Sequence, residues 1–316
     1  MSIRSLGDEA TLRHSTTRSE RMTTPLHTTD TSAGRDRSSQ RRLHHLSLAA
    51  CPVTARLDGH ACWQGSGFLY LRQQQNERVL FLITIRHLLA PRSNSGTHSM
   101  KPDTAIFQLR TSGDDPTAVR PVRVPLYTRD GVPTWLESRK WIDSEIVAIP
   151  VPGSLCEGMS IHCIDRTWSS PAVATLSAGA PLHVTGFPYS TEARPGAFPL
   201  WHAGSLASDP GTSLEDQPML WASVPPFPGM AGAPAVIAPN RDSGADGEVR
   251  RLVGVYAGAR SLTGRTAEEV GVHDGIDCVL REFPPWGAIW RAEIIDELIE
   301  NADLERWQQE ILTRLP

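Results

Sequence analysis

From about residue 47 onward, apolar residues come in short runs of strand length, and Gly, Pro and polar clusters separate them. Residues 79–85 form one such run, and 105–109, 122–127, 146–149, 182–187, 220–224, 235–238 and 252–256 follow. Residues 63–71 (Trp-Gln-Gly-Ser-Gly-Phe-Leu-Tyr-Leu) read as a turn feeding a strand. The chain holds 25 Gly and 25 Pro, so long helices are not expected in its middle. Many short strands with this punctuation predict a sandwich or barrel, and no fixed-period repeat is visible.

The two ends differ from this pattern. Residues 1–45 are rich in Ser, Thr and Arg and poor in large apolar side chains. Such a segment buries too little surface to offset its ordering entropy, which predicts a flexible tail. Arg35, Arg37, Arg41 and Arg42 also suit a docking arm. An organelle transit peptide is disfavoured by Asp8, Glu9, Glu20, Asp30 and Asp36. At the other end, Ile294, Ile295, Leu298, Ile299, Ala302, Trp307, Ile311 and Leu315 recur at helical spacing. Residues 292–316 therefore read as an amphipathic helix, or two broken near 301–303, whose stripe packs on the β-domain or receives a partner.

With 316 residues the chain is long enough for a large core or for two small barrels. Hydrophobic residues make up 40% and charged residues 21%, an ordinary soluble composition. A net charge of −4 gives no global attraction to nucleic acid or an anionic membrane. No apolar run approaches the roughly 20 residues that span a bilayer. The N-terminus has no apolar core of a secretory signal. Cys51, Cys62, Cys156, Cys163 and Cys278 are odd in number and lack Cys-x-x-Cys spacing. Together these predict a cytoplasmic protein with free thiols. His162 with Cys163, or His273 with Cys278, lacks zinc spacing, so no metal or other cofactor is expected.

Three segments carry chemistry. The run Phe-Leu-Ile-Thr-Ile-Arg-His ends in His87, an imidazole at the rigid end of a buried strand. A general base needs that fixed placement and a pKa near neutrality. Asp143 and Glu145 precede the run 146–149. Either carboxylate could accept the Nδ1 hydrogen of His87, fixing its tautomer and stabilising the imidazolium. The third segment is Gly-Met-Ala-Gly-Ala-Pro at 229–234, a turn whose glycines allow two N–H groups to point into one hollow.

With Ser at position 231, this last segment would read Gly-x-Ser-Gly-x-Pro. The order His, acid, nucleophile loop resembles the chymotrypsin/trypsin-like serine peptidases, particularly bacterial intracellular trypsin-like domains, over about 47–295. Supporting segments are 184–188 (Val-Thr-Gly-Phe-Pro), 204–208 (Gly-Ser-Leu-Ala-Ser), 252–258 (Leu-Val-Gly-Val-Tyr-Ala-Gly) and 287–290 (Gly-Ala-Ile-Trp). The resemblance implies an all-β fold of two antiparallel six-stranded barrels, about 46–165 and 166–291, followed by the C-terminal helix. It places His87 and the acid on the first barrel and the 231 loop on the second. The family puts its acid immediately before the strand, which is Glu145 here; Asp143 lies two residues earlier, and a bulge could deliver it instead.

The resemblance further implies an oxyanion hole from the amides of Gly229 and Ala231, and an extended substrate along Val255, Tyr256 and Ala257. Pro225 falls at the specificity position. It also implies a protein or peptide substrate, control by a partner through either end of the chain, and a role in bacterial stress or phage defence.

Ala231 is the departure, because a methyl group cannot attack a carbonyl. An engineered Ser-to-Ala change and a natural loss of the nucleophile both account for it, and the retained His87 and glycines favour the first. Two other functions compete with the peptidase. One is a natural pseudopeptidase that holds a peptide in the same groove. The other is a β-rich scaffold without a groove, which requires His87 to lie far from both acids.

Overall fold

Asp58 and Gly59 both adopt positive φ, 50° and 80°, as a two-residue hairpin turn requires. They join β1 (Ala50–Leu57) to β2 (His60–Gln74), registered from Ala50 opposite Phe68 to Leu57 opposite His60. The computed structural model describes residues 43–74, 77–91, 101–168, 176–188, 196–213, 216–237, 250–259, 286–300 and 302. The expected flexible tail lies almost wholly outside these residues. So do Cys278, Trp307, Ile311 and Leu315.

The first sheet adds β3 (Glu77–Ile85), β4 (Thr104–Thr111), β5 (Val119–Pro125), β6 (Leu136–Glu137) and β7 (Ile146–Val151) in the order β5-β4-β1-β2-β3-β7-β6. Its two ends meet. Thr134 N–H donates to the Leu126 carbonyl, and Thr128 N–H donates to the Val132 carbonyl. The sheet thus closes on itself as a barrel. Two short strands extend it: β8 (Met159–Ser160) on β4, and β9 (Ile164–Asp165) on β2. The β2–β9 pair is parallel, a local departure from the expected antiparallel pattern.

The second sheet comprises β10 (Pro181–Gly186), β11 (Leu200–Ser205), β12 (Met219–Ala222), β13 (Pro234–Ile237), β14 (Arg251–Ala259) and β15 (Gly287–Arg291). Their order is β11-β10-β13-β14-β15-β12. A bridge between Leu206 and Ala222 closes this ring, reinforced by Ala207 N–H to the Trp221 carbonyl and Ser223 N–H to the Ser205 carbonyl. The architecture is the all-β, two-barrel arrangement with a C-terminal helix.

All six residues of β7 are buried, which explains its unbroken apolar run. Phe68, Phe81, Phe107, Leu82 and Ile83 are buried in one core cluster that draws on both faces of the first sheet, and Leu182, Val184, Leu220, Ala235 and Val253 belong to a second cluster. Each buried Leu, Ile, Val or Phe among them contributes about 1.5–3 kcal/mol. The expected turn at 63–67 is instead strand, because Gly65 and Gly67 lie where β2 is approached closely on both sides. β1 was not among the expected runs because Pro52, Thr54 and Arg56 interrupt its apolar residues.

The chain leaves the second barrel and packs back on the first. Helix α1 (His45–Ala49) and helix α2 (Arg86–Leu89) belong to the first barrel. Helix α3 (Glu293–Glu300) buries Ile294, Ile295, Leu298 and Ile299 against that barrel's core. The Tyr70 hydroxyl donates to Asp296 at 2.6 Å, tying the helix to β2. No helix among the described residues is long and apolar enough to cross a membrane.

Candidate active site

The ladder between β3 and β7 ends at Ile85 opposite Ile146. One further bond extends it: Arg86 N–H donates to the Glu145 carbonyl at 2.6 Å. The chain then turns into α2, and His87 Nδ1 comes to 3.4 Å from Glu145 Oε1. Cross-strand register therefore decides which carboxylate sits opposite the imidazole. The His87 and Glu145 side chains remain 20% and 22% exposed, enough to keep the imidazole within reach of a bound molecule. Asp143 lies in the preceding loop and is exposed. The contact to Glu145 is long for a hydrogen bond.

The turn at 229–233 is held by its own backbone and by both barrels. Gly229 and Gly232 have φ of 91° and 90°, values that strain any residue with a Cβ. Met230 N–H donates to the Phe227 carbonyl at 3.1 Å, and Ala233 N–H donates to the Met230 carbonyl at 3.0 Å. That second bond draws the Met230 carbonyl into the turn, so the Ala231 N–H of the same planar peptide points out of it. Gly232 N–H donates to the Tyr256 carbonyl, and Tyr256 N–H donates to the Ala233 carbonyl, zipping the turn onto β14.

Ser66 links this turn to the first barrel, and nothing in the sequence had singled out its role. Its N–H donates to the Ala231 carbonyl at 2.8 Å, and its hydroxyl donates to the Gly229 carbonyl at 2.7 Å. Its Oγ accepts from Phe187 N–H at 2.9 Å, and its carbonyl accepts from the Thr84 hydroxyl at 2.8 Å. The glycines around it permit this approach: a Cβ on Gly232 would lie 2.0 Å from the Ser66 carbonyl oxygen. A Cβ on Gly65 would meet the Ala231 carbonyl oxygen and Leu88 Cδ2, each at 2.9 Å. The residue after His87 and residue 231 thus flank the same glycine. The Gly-Ser-Gly run inside a strand was the available signal.

The Ala231 methyl is half-buried and carries no proton to exchange. Val255 pairs with both Pro234 and Trp290, and both backbone groups of Tyr256 are used by Ala233 and Gly232, so neither offers a free edge. β14 bulges at Ala257 and continues against β15 to Ala259. Among the described residues no strand pairs with the opposite edge of 257–259. Pro225 is exposed. Beneath its neighbour lies the fully buried Tyr256, whose hydroxyl donates to the Val224 carbonyl at 3.2 Å. Burial pushes this phenol's pKa up. A Cβ on Gly287 would strike the Tyr256 ring at 2.1 Å, so glycine there makes room for it.

A cavity of about 420 Å³ lies elsewhere, lined by residues including Leu71, Leu80, Pro150, Cys156 and Cys163, and excludes His87, Glu145 and Ala231. Burial raises the pKa of both thiols, which keeps them in the poorly nucleophilic protonated form. Among the described residues no group of three or more His, Cys, Asp or Glu side chains could hold a metal ion.

No family model matches the chain, and no curated protein matches it. Among solved structures it is similar to a serine endoprotease from Yersinia pestis, at 11% identity and a TM-score of 0.43. That match covers 84% of this chain and 64% of the endoprotease, so the chain spans less than two thirds of its length. It is also similar to the Rv3671c protease of M. tuberculosis in its inactive form, at 10% identity and a TM-score of 0.42, covering 82% and 90% of the two chains. A Ser-to-Ala mutant of that protease, also in an inactive form, matches at 11% identity and a TM-score of 0.40 over 81% and 86%.

Proposed function

We propose that the cleft is that of a trypsin-like serine endopeptidase in which Ala231 stands in the nucleophile's place. The observation that carries this reading is the His87–Glu145 pair, set beside a glycine-constrained turn that presents residue 231 and its amide. With a serine hydroxyl at that position, His87 Nε2 takes its proton as the oxygen attacks the peptide carbonyl. Glu145 holds the Nδ1–H tautomer and stabilises the imidazolium. The amides of Gly229 and Ala231 receive the oxyanion, each such donor being worth roughly 3 kcal/mol in the transition state. His87 then passes its proton to the leaving amine, and water releases the acyl group by the same steps.

As the sequence stands, no acyl-enzyme forms and turnover falls by about a million-fold. The groove and the amides need no side chain at 231, so a peptide can still add along 257–259 as an extra strand. Ala231 itself supports a second reading, a natural module that captures peptides without cutting them. Digestion of an unstructured protein such as β-casein tests the first reading. Ala231→Ser should cut it while the present chain does not. An intact substrate with both proteins would favour capture alone.

A further inference from the structure

Phe227 and Leu200 are 45% and 47% exposed, among the large apolar side chains most open to solvent. They occupy one ledge. Leu200, His202 and Gly204 alternate onto the same face of β11. That face presses on the loop after β12: a Cβ on Gly204 would meet the Ser223 carbonyl oxygen at 2.3 Å and Val224 Cγ2 at 2.6 Å. The Phe227 ring rests on the His202 ring, with centroids 4.9 Å apart. Among the described residues His202 Nε2 is buried without a hydrogen-bond partner. The imidazole here serves as an apolar base for the phenyl ring. The Phe227 carbonyl closes the turn that positions Gly229 and Ala231.

Sheet order places this ledge relative to a bound peptide. The 229–233 turn leads into β13, which lies between β14 on one side and β10 with β11 on the other. A peptide whose acyl half pairs along 257–259 of β14 crosses residue 231 and continues toward β10 and β11. Its leaving half therefore meets Phe227 and Leu200. We infer that Phe227, backed by His202 and flanked by Leu200, selects an apolar side chain in the first two residues beyond the scissile bond. This inference rests on the peptidase reading. An aromatic ring fixed at its base is a good anchor, because little conformational entropy remains to be lost on binding. Covering such a surface with a Leu or Phe side chain, instead of leaving it to solvent, should favour cleavage by about 10- to 100-fold in kcat/KM.

The test uses the full chain carrying Ala231→Ser, alone and with Phe227→Ala or Leu200→Ala, on a peptide library from a denatured proteome, with cleavage sites read by mass spectrometry. Fluorogenic peptides differing only at the first or second residue after the cut then supply kcat/KM. Apolar residues should be preferred over Gly or Asp by at least about 10-fold. Phe227→Ala should reduce that preference below about 3-fold, and Leu200→Ala should weaken it less. Cleavage without apolar preference there, or a preference untouched by Phe227→Ala, overturns the ledge and leaves the peptidase reading standing. If Ala231→Ser cleaves nothing, both fall together.

Discussion

Ser66→Ala removes one oxygen and breaks two hydrogen bonds at the point where the barrels meet. The Gly229 carbonyl loses its 2.7 Å donor, and the Phe187 N–H loses its 2.9 Å acceptor. The site is dry, since Ser66 is fully buried. Each polar group left unsatisfied in such a place costs about 1–3 kcal/mol, so the two together should cost about 2–6 kcal/mol. For a domain of this size that corresponds to a Tm lowered by roughly 5–15 °C. Thr185→Val is the matched control. Thr185 is also fully buried, yet among the described residues its hydroxyl has no partner. Replacing it with an isosteric apolar side chain strands nothing, and stability should stay within about 1 kcal/mol or rise. Thermal and urea unfolding of the two variants, followed by circular dichroism, measure the contrast. Equal midpoints for Ser66→Ala and Thr185→Val would refute the reasoning.

Three further expectations concern single residues. Gly232→Ala places a Cβ 2.0 Å from the Ser66 carbonyl oxygen at a φ of 90°; it should cost more than about 3 kcal/mol or abolish folding, read as loss of soluble protein or of a cooperative melt. In an Ala231→Ser background, Glu145→Gln should lower kcat by about 10³- to 10⁴-fold while Asp143→Asn changes it by less than about 3-fold, measured on one fluorogenic peptide. Cys51 is buried, and desolvation pushes its pKa up to about 12 from an ordinary 9. The unfolded thiol ionises first, so this stabilising contribution is intact below pH 9 and is lost between pH 9 and about 12, at about 1.4 kcal/mol per pH unit. Cys51→Ala should flatten that alkaline decline in urea midpoints, and an unchanged slope would count against it.

Much of the framework could be read from apolar runs alone, because strands such as β7 are buried on every residue and carry little else. β1 escaped that reading because Pro52, Thr54 and Arg56 break its run, and only its pairing with β2 and β4 makes it a strand. The placement of His87 at a strand end follows from local pattern. The choice between Glu145 and Asp143 does not, because it depends on Ile85 facing Ile146 across two strands some 60 residues apart. The hydrogen bonding along β14 was hidden for a similar reason. Val255 and Tyr256 look like the end of a strand in the sequence, yet their hydrogen bonds are spent on β13, β15 and the 229–233 turn. The bulge at Ala257 and the positive φ of Gly258 shift the open edge onward. Ser66 read as part of a turn because Gly-Ser-Gly is a common loop composition. Its place is set by the second barrel, which the local sequence does not contain.

The central claim is that His87, paired with Glu145, serves residue 231. The direct measurement is labelling of Ala231→Ser by a fluorophosphonate probe, with the modified residue located by mass spectrometry, beside the same protein carrying His87→Ala. The account predicts phosphonylation at position 231 that falls by at least about 10³-fold without His87. No labelling at position 231, or labelling equally fast without His87, would contradict it.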